Sequence, residues 1–250
     1  METAFAGVLG AVFGSFLNLV AERLPRRQSL ILPASHCGSC QTPIKPYDNV
    51  PLLSWLLLRG RCRSCNARIS VRHPLVELAT AALCAGVFLA KPSTAAVALG
   101  IALVLLLVPL ALIDLEHKIL PNAITLPGCL LAIVLGLALD PAGEPTRLIA
   151  GVAVGALLLL AAIAKPGGMG IGDVKLATMI GLFLGKAVIP ALLVALIAGV
   201  AIGAVVIARR GVAAGRTTAI PFGPFLALGA IVGLFAGQPI LHWYSTTFVH

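Results

Sequence analysis

The chain has 250 residues, of which 59% are hydrophobic and only 11% charged, and its formal net charge is +9. A soluble domain carries about 25% charged residues, so this composition excludes an ordinary water-soluble globule. Several apolar runs reach the roughly 20 residues needed to cross a bilayer core, where the backbone must satisfy its own hydrogen bonds and is therefore helical.

In chain order, spans are predicted near 3–20, 74–90, 95–113, 121–139, 147–164, 174–185, 187–208 and 220–237. The first does not read as a cleaved signal peptide. Glu2 leads it and Arg23, Arg26 and Arg27 follow it, the reverse of a secretory signal. Residues 21–73 do not belong to the bilayer: they are polar, rich in Pro and Arg, and hold four of the six cysteines. They are expected to form a small cytoplasmic domain inserted after the first helix. The sixth span is short and only Lys186 marks the turn after it, so a half-span and a tilted helix both stay open. The expected fold is an all-α polytopic membrane protein with about eight transmembrane helices: a first span (1–20), a cytoplasmic domain (21–73) and a membrane core (74–250).

The basic residues orient it. One set of connections collects Arg23, Arg26, Arg27, Lys45, Arg59, Arg61, Arg63, Arg68, Arg72, Lys118, Lys165, Lys175, Arg209, Arg210 and Arg216. The other set has only Lys91, Arg147 and Lys186. Positive loops stay in the cytoplasm, which places the N-terminus outside. The basicity thus reflects topology and not a nucleic-acid surface. Glycines four apart (Gly10 and Gly14, Gly151 and Gly155, Gly181 and Gly185, Gly199 and Gly203, Gly229 and Gly233) are expected to let helices pack closely in lipid.

In the inserted domain, Cys37, Cys40, Cys62 and Cys65 form two CxxC pairs. Each knuckle aims two thiolates at one point, and two knuckles complete the closed tetrahedral site usual for structural zinc. Arg61 and Arg63 would favour the thiolates. The alternative is two disulfides, which the reducing cytoplasm disfavours. His36 is read as a bystander, and Cys84 and Cys129 as buried apolar groups.

Carboxylates at membrane borders are costly and are functional candidates by default. Asp114 closes the third span in "LVPLALIDLEHKILPN" and Asp173 opens the sixth in "KPGGMGIGDVKLA". The charge topology puts both at the cytoplasmic edge. Two carboxylates held together in a poorly solvated site share a proton. One can then draw a proton from water while the other protonates a scissile carbonyl. Gly170 and Gly172 supply a permissive backbone beside Asp173. The bland alternative makes Asp173 a helix cap and Asp114 a border marker. Glu77 reads as first-turn helix chemistry, and Lys118 and Lys175 as interfacial anchors.

On these residues the chain resembles the prepilin peptidases, bacterial type IV leader peptidases that also act as N-methyltransferases. The likeness runs through "GSFLNLVAERLP" (14–25), "PASHCGSC" (33–40), "DNVPLLSWLLLRGRCRSC" (48–65), "HPLVEL" (73–78), "LIDLEHKILPN" (112–122), "GMGIGDVKLA" (168–177) and "IPFGPFLALG" (220–229). "GIGD" matches the family's GxGD signature. The resemblance implies that Asp114 and Asp173 are the catalytic pair of an aspartic peptidase core in 74–250, with Cys37, Cys40, Cys62 and Cys65 as the family's CxxC cysteines. It implies an enzyme of the bacterial inner membrane that cuts after a glycine, at the cytoplasmic face. There it would remove a basic leader from type IV prepilins or type II secretion pseudopilins. It also implies methylation of the new N-terminal residue from S-adenosylmethionine, although no glycine-rich cofactor loop locates that site. Two other readings compete: a transporter or channel whose aspartates carry protons or cations, and a non-catalytic, zinc-bearing assembly subunit.

Overall fold

A computed structural model describes residues 2–165, 168–211 and 220–248. Arg216 lies outside these segments. Among the described residues there are nine α-helices and no strand. They are α1 (Glu2–Arg23), α2 (Leu53–Leu57), α3 (Arg72–Ala90), α4 (Thr94–His117), α5 (Asn122–Leu139), α6 (Glu144–Ala164), α7 (Ile171–Leu184), α8 (Val188–Arg210) and α9 (Gly223–Phe248). The fold is all-helical and multi-pass. Seven apolar runs are long enough to cross a membrane, with Ile171–Arg210 counted as one run that contains α7 and α8.

The chain divides into two compact units, Met1–Lys91 and Pro92–His250. The boundary falls after α3 because α3 packs along α1. Small residues permit that packing: a Cβ added to Gly10 would stand 2.9 Å from Ala81 Cα and from the Thr80 carbonyl oxygen. Asn18 of α1, itself buried, donates to the carbonyl of His73 at the start of α3. Between the two helices the chain makes the excursion 24–71, which carries α2 and the cysteines.

The second unit is a bundle of α4 to α9. A Cβ on Gly181 of α7 would lie 2.7 Å from Gly151 Cα of α6, and Gly155 faces Thr178, so α6 and α7 run antiparallel. Likewise Gly199 of α8 faces Phe222, just before α9, while Gly237 near the other end of α9 faces Ala187, just before α8. A turn separates α7 from α8. It occurs at Gly185, whose φ of 57° lies in the left-handed region that only glycine adopts freely. At ~1.5 Å per residue, the 14 residues of α7 rise only about 21 Å. Three of the five expected glycine pairs, Gly10 and Gly14, Gly151 and Gly155, and Gly229 and Gly233, sit at close helix contacts, whereas Gly185 forms the turn and a Cβ on Gly203 would meet nothing.

Opposite the aspartate end, Arg147 is not a free loop cation. It is buried one turn into α6, where Nε donates to Glu144 Oε2 at 2.9 Å and a terminal nitrogen to Asp140 Oδ2 at 2.7 Å. The Arg147 guanidinium, with the Gly143 amide, holds the Asp140 carboxyl below the usual carboxylate range.

Candidate active site and metal centre

Asp114 lies on the last turn of α4 and is only 5% exposed. The helix stops one turn later because Lys118 takes a left-handed conformation, its amide closing on the Asp114 carbonyl. The connector then runs to Pro121, whose carbonyl accepts the amides of Ile124 and Thr125 and so starts α5. On the way, Leu120 passes Gly172, where an added Cβ would stand 3.0 Å from Leu120 Cβ. Gly172 is therefore a close-packing position, one residue before Asp173.

Asp173 sits in the first turn of α7 and is half-buried. Its Oδ2 accepts the Gly170 amide at 3.2 Å, which satisfies one of the orphan donors of the helix start. Asp173 is therefore not the N-cap weighed from the sequence: Gly170 holds that position, and Asp173, three residues on, reaches back to its amide. One carboxylate oxygen remains for other work. Beside it, Lys175 Nζ donates to Asn122 Oδ1 at 2.9 Å, tying α7 to the start of α5.

The third wall was not legible as such. The first residue of α9 is Gly223, and its amide donates to Asp114 Oδ2 at 2.8 Å across 109 positions of sequence. A Cβ on Gly223 would lie 2.7 Å from that oxygen and 3.1 Å from Asp114 Cγ. The backbone of α9 thus occupies the place a side chain would need. The available signal was the Gly-Pro pair inside "IPFGPF", since proline suits the first turn of a helix, but nothing local said which carboxylate it would meet. The ends of α4, α7 and α9 bring Asp114, Asp173, Gly170, Gly172 and Gly223 to one end of the bundle. Chemically, such a pair can polarise a water on one side and a carbonyl on the other.

The cysteines converge in the other unit. Cys37 Sγ lies 3.8 Å from Cys65 Sγ, Cys40 Sγ lies 4.0 Å from Cys62 Sγ, and all four sulfurs fall within 4.8 Å of one another. Sulfurs at ~2.3 Å from a tetrahedral zinc stand about 3.8 Å apart, so the donor set fits a metal ion. The two knuckles repeat one design. Cys37 and Cys62 accept the amides of Gln41 and Asn66, and those two residues have φ of 56° and 57°. All four are free thiols, not disulfides. His36 Nδ1 is turned to the Ala34 carbonyl and away from the cluster's ligand set.

Electrostatics explain why a cation suits this cluster. The hydroxyl and amide of Thr42 hold the Cys40 thiol down to about 6. The amides of Cys65 and Ser64 hold Cys62 below its ordinary value. Cys65, despite the Ala67 amide beside it, is pushed up to about 12 by the neighbouring sulfurs and by burial. Four adjacent thiolates can coexist only around positive charge. Arg63 does not supply it, because its guanidinium is engaged by both oxygens of Asp48 at 2.8 and 2.6 Å.

A helical bundle that carries two carboxylates at one end, preceded by a four-cysteine excursion, defines a multi-pass membrane protein with a candidate acid–base site. The comparisons agree. Residues 8–91 match the Bacterial Peptidase A24 N-terminal domain and residues 101–207 match the Type IV leader peptidase family. Proteins named prepilin leader peptidase/N-methyltransferase are similar over most of their length. The one from Burkholderia pseudomallei (strain K96243) is 37% identical across 96% of this chain and 87% of its own length. That from Pseudomonas putida is 36% identical across 96% and 94%, and that from Myxococcus xanthus 41% across 85% and 65%. No solved structure matches. The chain belongs to the type IV leader peptidase family.

Proposed function

We propose that this protein is a membrane aspartic endopeptidase that removes the leader of type IV prepilins or type II secretion pseudopilins and N-methylates the residue so exposed. The observation that supports the reading is the gathering of the ends of α4, α7 and α9, which carry Asp114, Asp173 and Gly223, with Leu120 packed on Gly172 and one oxygen of Asp114 held by the Gly223 amide. In the reaction, the ionised member of the pair takes a proton from a water that attacks the scissile carbonyl. The protonated member gives its proton to the carbonyl oxygen, and the tetrahedral species collapses as the amine leaves with a proton. Gly170 keeps the wall beside Asp173 free of a side chain, so the substrate backbone can approach there, whereas Gly172 makes room for Leu120.

All eight long helices cross the inner membrane of a bacterial cell, α7 as a short span completed by its turn. The N-terminus lies outside and the dyad at the cytoplasmic face, as the distribution of Lys and Arg requires. The same rule orients a prepilin, whose basic leader stays inside, so its scissile bond arrives at the depth of the aspartates. Residues 1–20 form the first span, 21–73 the cytoplasmic domain and 74–250 the peptidase core. Cys37, Cys40, Cys62 and Cys65 hold a structural zinc ion that fixes the fold of the excursion. S-adenosylmethionine is the methyl donor, and its binding residues are left unassigned. The lipid bilayer and the pilin are the partners, and nucleic acid is not.

The test is incubation of the purified protein with a synthetic prepilin and S-adenosylmethionine, with both products read by mass spectrometry. A shortened, methylated pilin supports the reading. An intact prepilin, with the protein folded and metal-loaded, rejects it.

A further inference from the structure

The excursion 24–71 leaves an apolar face uncovered. On α2, Leu57 is 82% exposed, Leu56 63% and Leu53 59%. The opposite face is engaged. Ser54 Oγ accepts the Val50 amide and donates to the Tyr47 carbonyl. The Trp55 indole donates to the Ile69 carbonyl and lies against Gly60, where an added Cβ would stand 2.8 Å from the ring. Three leucines side by side on a five-residue helix are costly in water, at about 25 cal/mol per Å² of exposed apolar surface.

One bond ties this helix to α3. The Leu52 amide, immediately before α2, donates to Glu77 Oε2 at 2.8 Å, and Glu77 is buried in α3. Glu77 is the sixth residue of that membrane-crossing helix, which places it about 8 Å along the axis from Arg72 at ~1.5 Å per residue. That rise is comparable to the thickness of the interfacial layer flanking the ~30 Å hydrocarbon core. Leu52 has φ of 63°, so the chain adopts an unfavourable conformation to make this contact. α2 is therefore held at the level where α3 enters the lipid. Within 24–71 the only acidic residue is Asp48, and it is bound to Arg63, whereas Arg59, Arg61 and Arg68 are exposed close to the leucines in sequence.

We propose that α2 is an interfacial anchor: Leu53, Leu56 and Leu57 insert into the leaflet that α1 and α3 leave, and Arg59, Arg61 and Arg68 meet its anionic headgroups. The pattern is that of an apolar face with a basic rim lying in the interface plane, and juxtamembrane basic residues are drawn to anionic lipid. The cysteine cluster is thereby laid on the membrane surface instead of hanging from two strands of chain. The inference rests on the membrane spans alone; only the naming of that leaflet as cytoplasmic depends on the proposed topology.

The full-length protein in nanodiscs of phosphatidylethanolamine and phosphatidylglycerol provides the test. A benzophenone amino acid placed at position 57, or at position 53, is irradiated and its adducts are read by mass spectrometry. Lipid adducts at 53 and 57, with none at position 41 or 66 in the knuckles, are expected. In parallel, trypsin protection at Arg59 and Arg61 should be greater in phosphatidylglycerol than in phosphatidylcholine. It should be lost in the combined Leu53→Gln, Leu56→Gln and Leu57→Gln variant. If that variant fails to fold, the adduct measurement on the singly labelled proteins still decides. Adducts to an added prepilin without lipid adducts would make the face a substrate dock and overturn the proposal. Absence of lipid adducts altogether would overturn it too.

Discussion

The cysteine excursion and the aspartate end of the bundle solve the same problem, gathering reactive side chains, by opposite routes. Each CxxC knuckle is closed by bonds within six residues, such as Gln41 to Cys37 and Asn66 to Cys62, and the two knuckles lie on one short stretch of chain. The aspartate end has no local framework of that kind. Asp114 and Asp173 are carried by different helices, and the amide that fixes Asp114 comes from Gly223, 109 residues away. A locally built site needs a metal to hold it, whereas a site assembled by helix ends needs the whole bundle. Damage to each should therefore read out differently.

The largest effect is expected at the dyad. Asp114→Asn or Asp173→Asn should reduce leader cleavage to background while the protein stays folded and membrane-inserted, checked by mass spectrometry of a synthetic prepilin and by size-exclusion in detergent. Next comes the metal. Cys37→Ser with Cys40→Ser, or zinc removal by a chelator, should abolish the zinc content of the reduced protein. It should also leave 24–71 open to protease, since structural zinc contributes folding free energy on the order of 10 kcal/mol in small domains. Protection of the bundle helices should be unchanged. A freshly purified, reduced protein that holds no zinc would break the comparison on this side.

Gly223→Ala should lie between loss and tolerance. Its Cβ would stand 2.7 Å from Asp114 Oδ2, and a displacement of about 1 Å in a catalytic group can cost ~100-fold in rate. We expect kcat to fall by about that factor with KM little changed. Wild-type kinetics in this variant would mean that α9 does not position Asp114.

The smallest effect concerns the far corner. Because Arg147 and the Gly143 amide hold the Asp140 carboxyl below its ordinary range, its folded value is depressed relative to the unfolded chain. The associated stability is present above the unfolded carboxylate pKa and is lost as pH falls through the folded value. Melting temperature should therefore fall on acidification in the wild type, and Asp140→Asn should flatten part of that acid limb. Asp140 is well exposed, so the change is modest. An unaltered acid limb would remove this pair from the account.

Much of this was legible in the sequence. Spans were read from apolar runs because lipid imposes helix wherever charge is absent, and the expected spans overlap helices, although the described residues give seven runs long enough to cross, not eight, with 171–210 counted once. Their ends were less legible. α9 continues to Phe248, well past 237, because helix persists after hydropathy fades, and α6 begins at Glu144 because a buried ion pair starts it. The knuckles could be seen because CxxC geometry is local. Two contacts could not. Gly223 was not singled out and Glu77 looked like first-turn chemistry, yet each bonds to a segment whose position only packing decides.

The central claim is spatial: the carboxylates at 114 and 173 lie within reach of one shared water. A full-length protein with Asp114→Cys and Asp173→Cys, and with Cys84→Ser and Cys129→Ser to clear the membrane thiols, tests it most directly with a short bifunctional thiol reagent that fluoresces only when both ends react. We predict a 114–173 bridge in membranes, absent from each single variant and from a control pairing Asp140→Cys with Asp173→Cys. No bridge in the folded double variant, under conditions where each thiol reacts singly, would contradict the account.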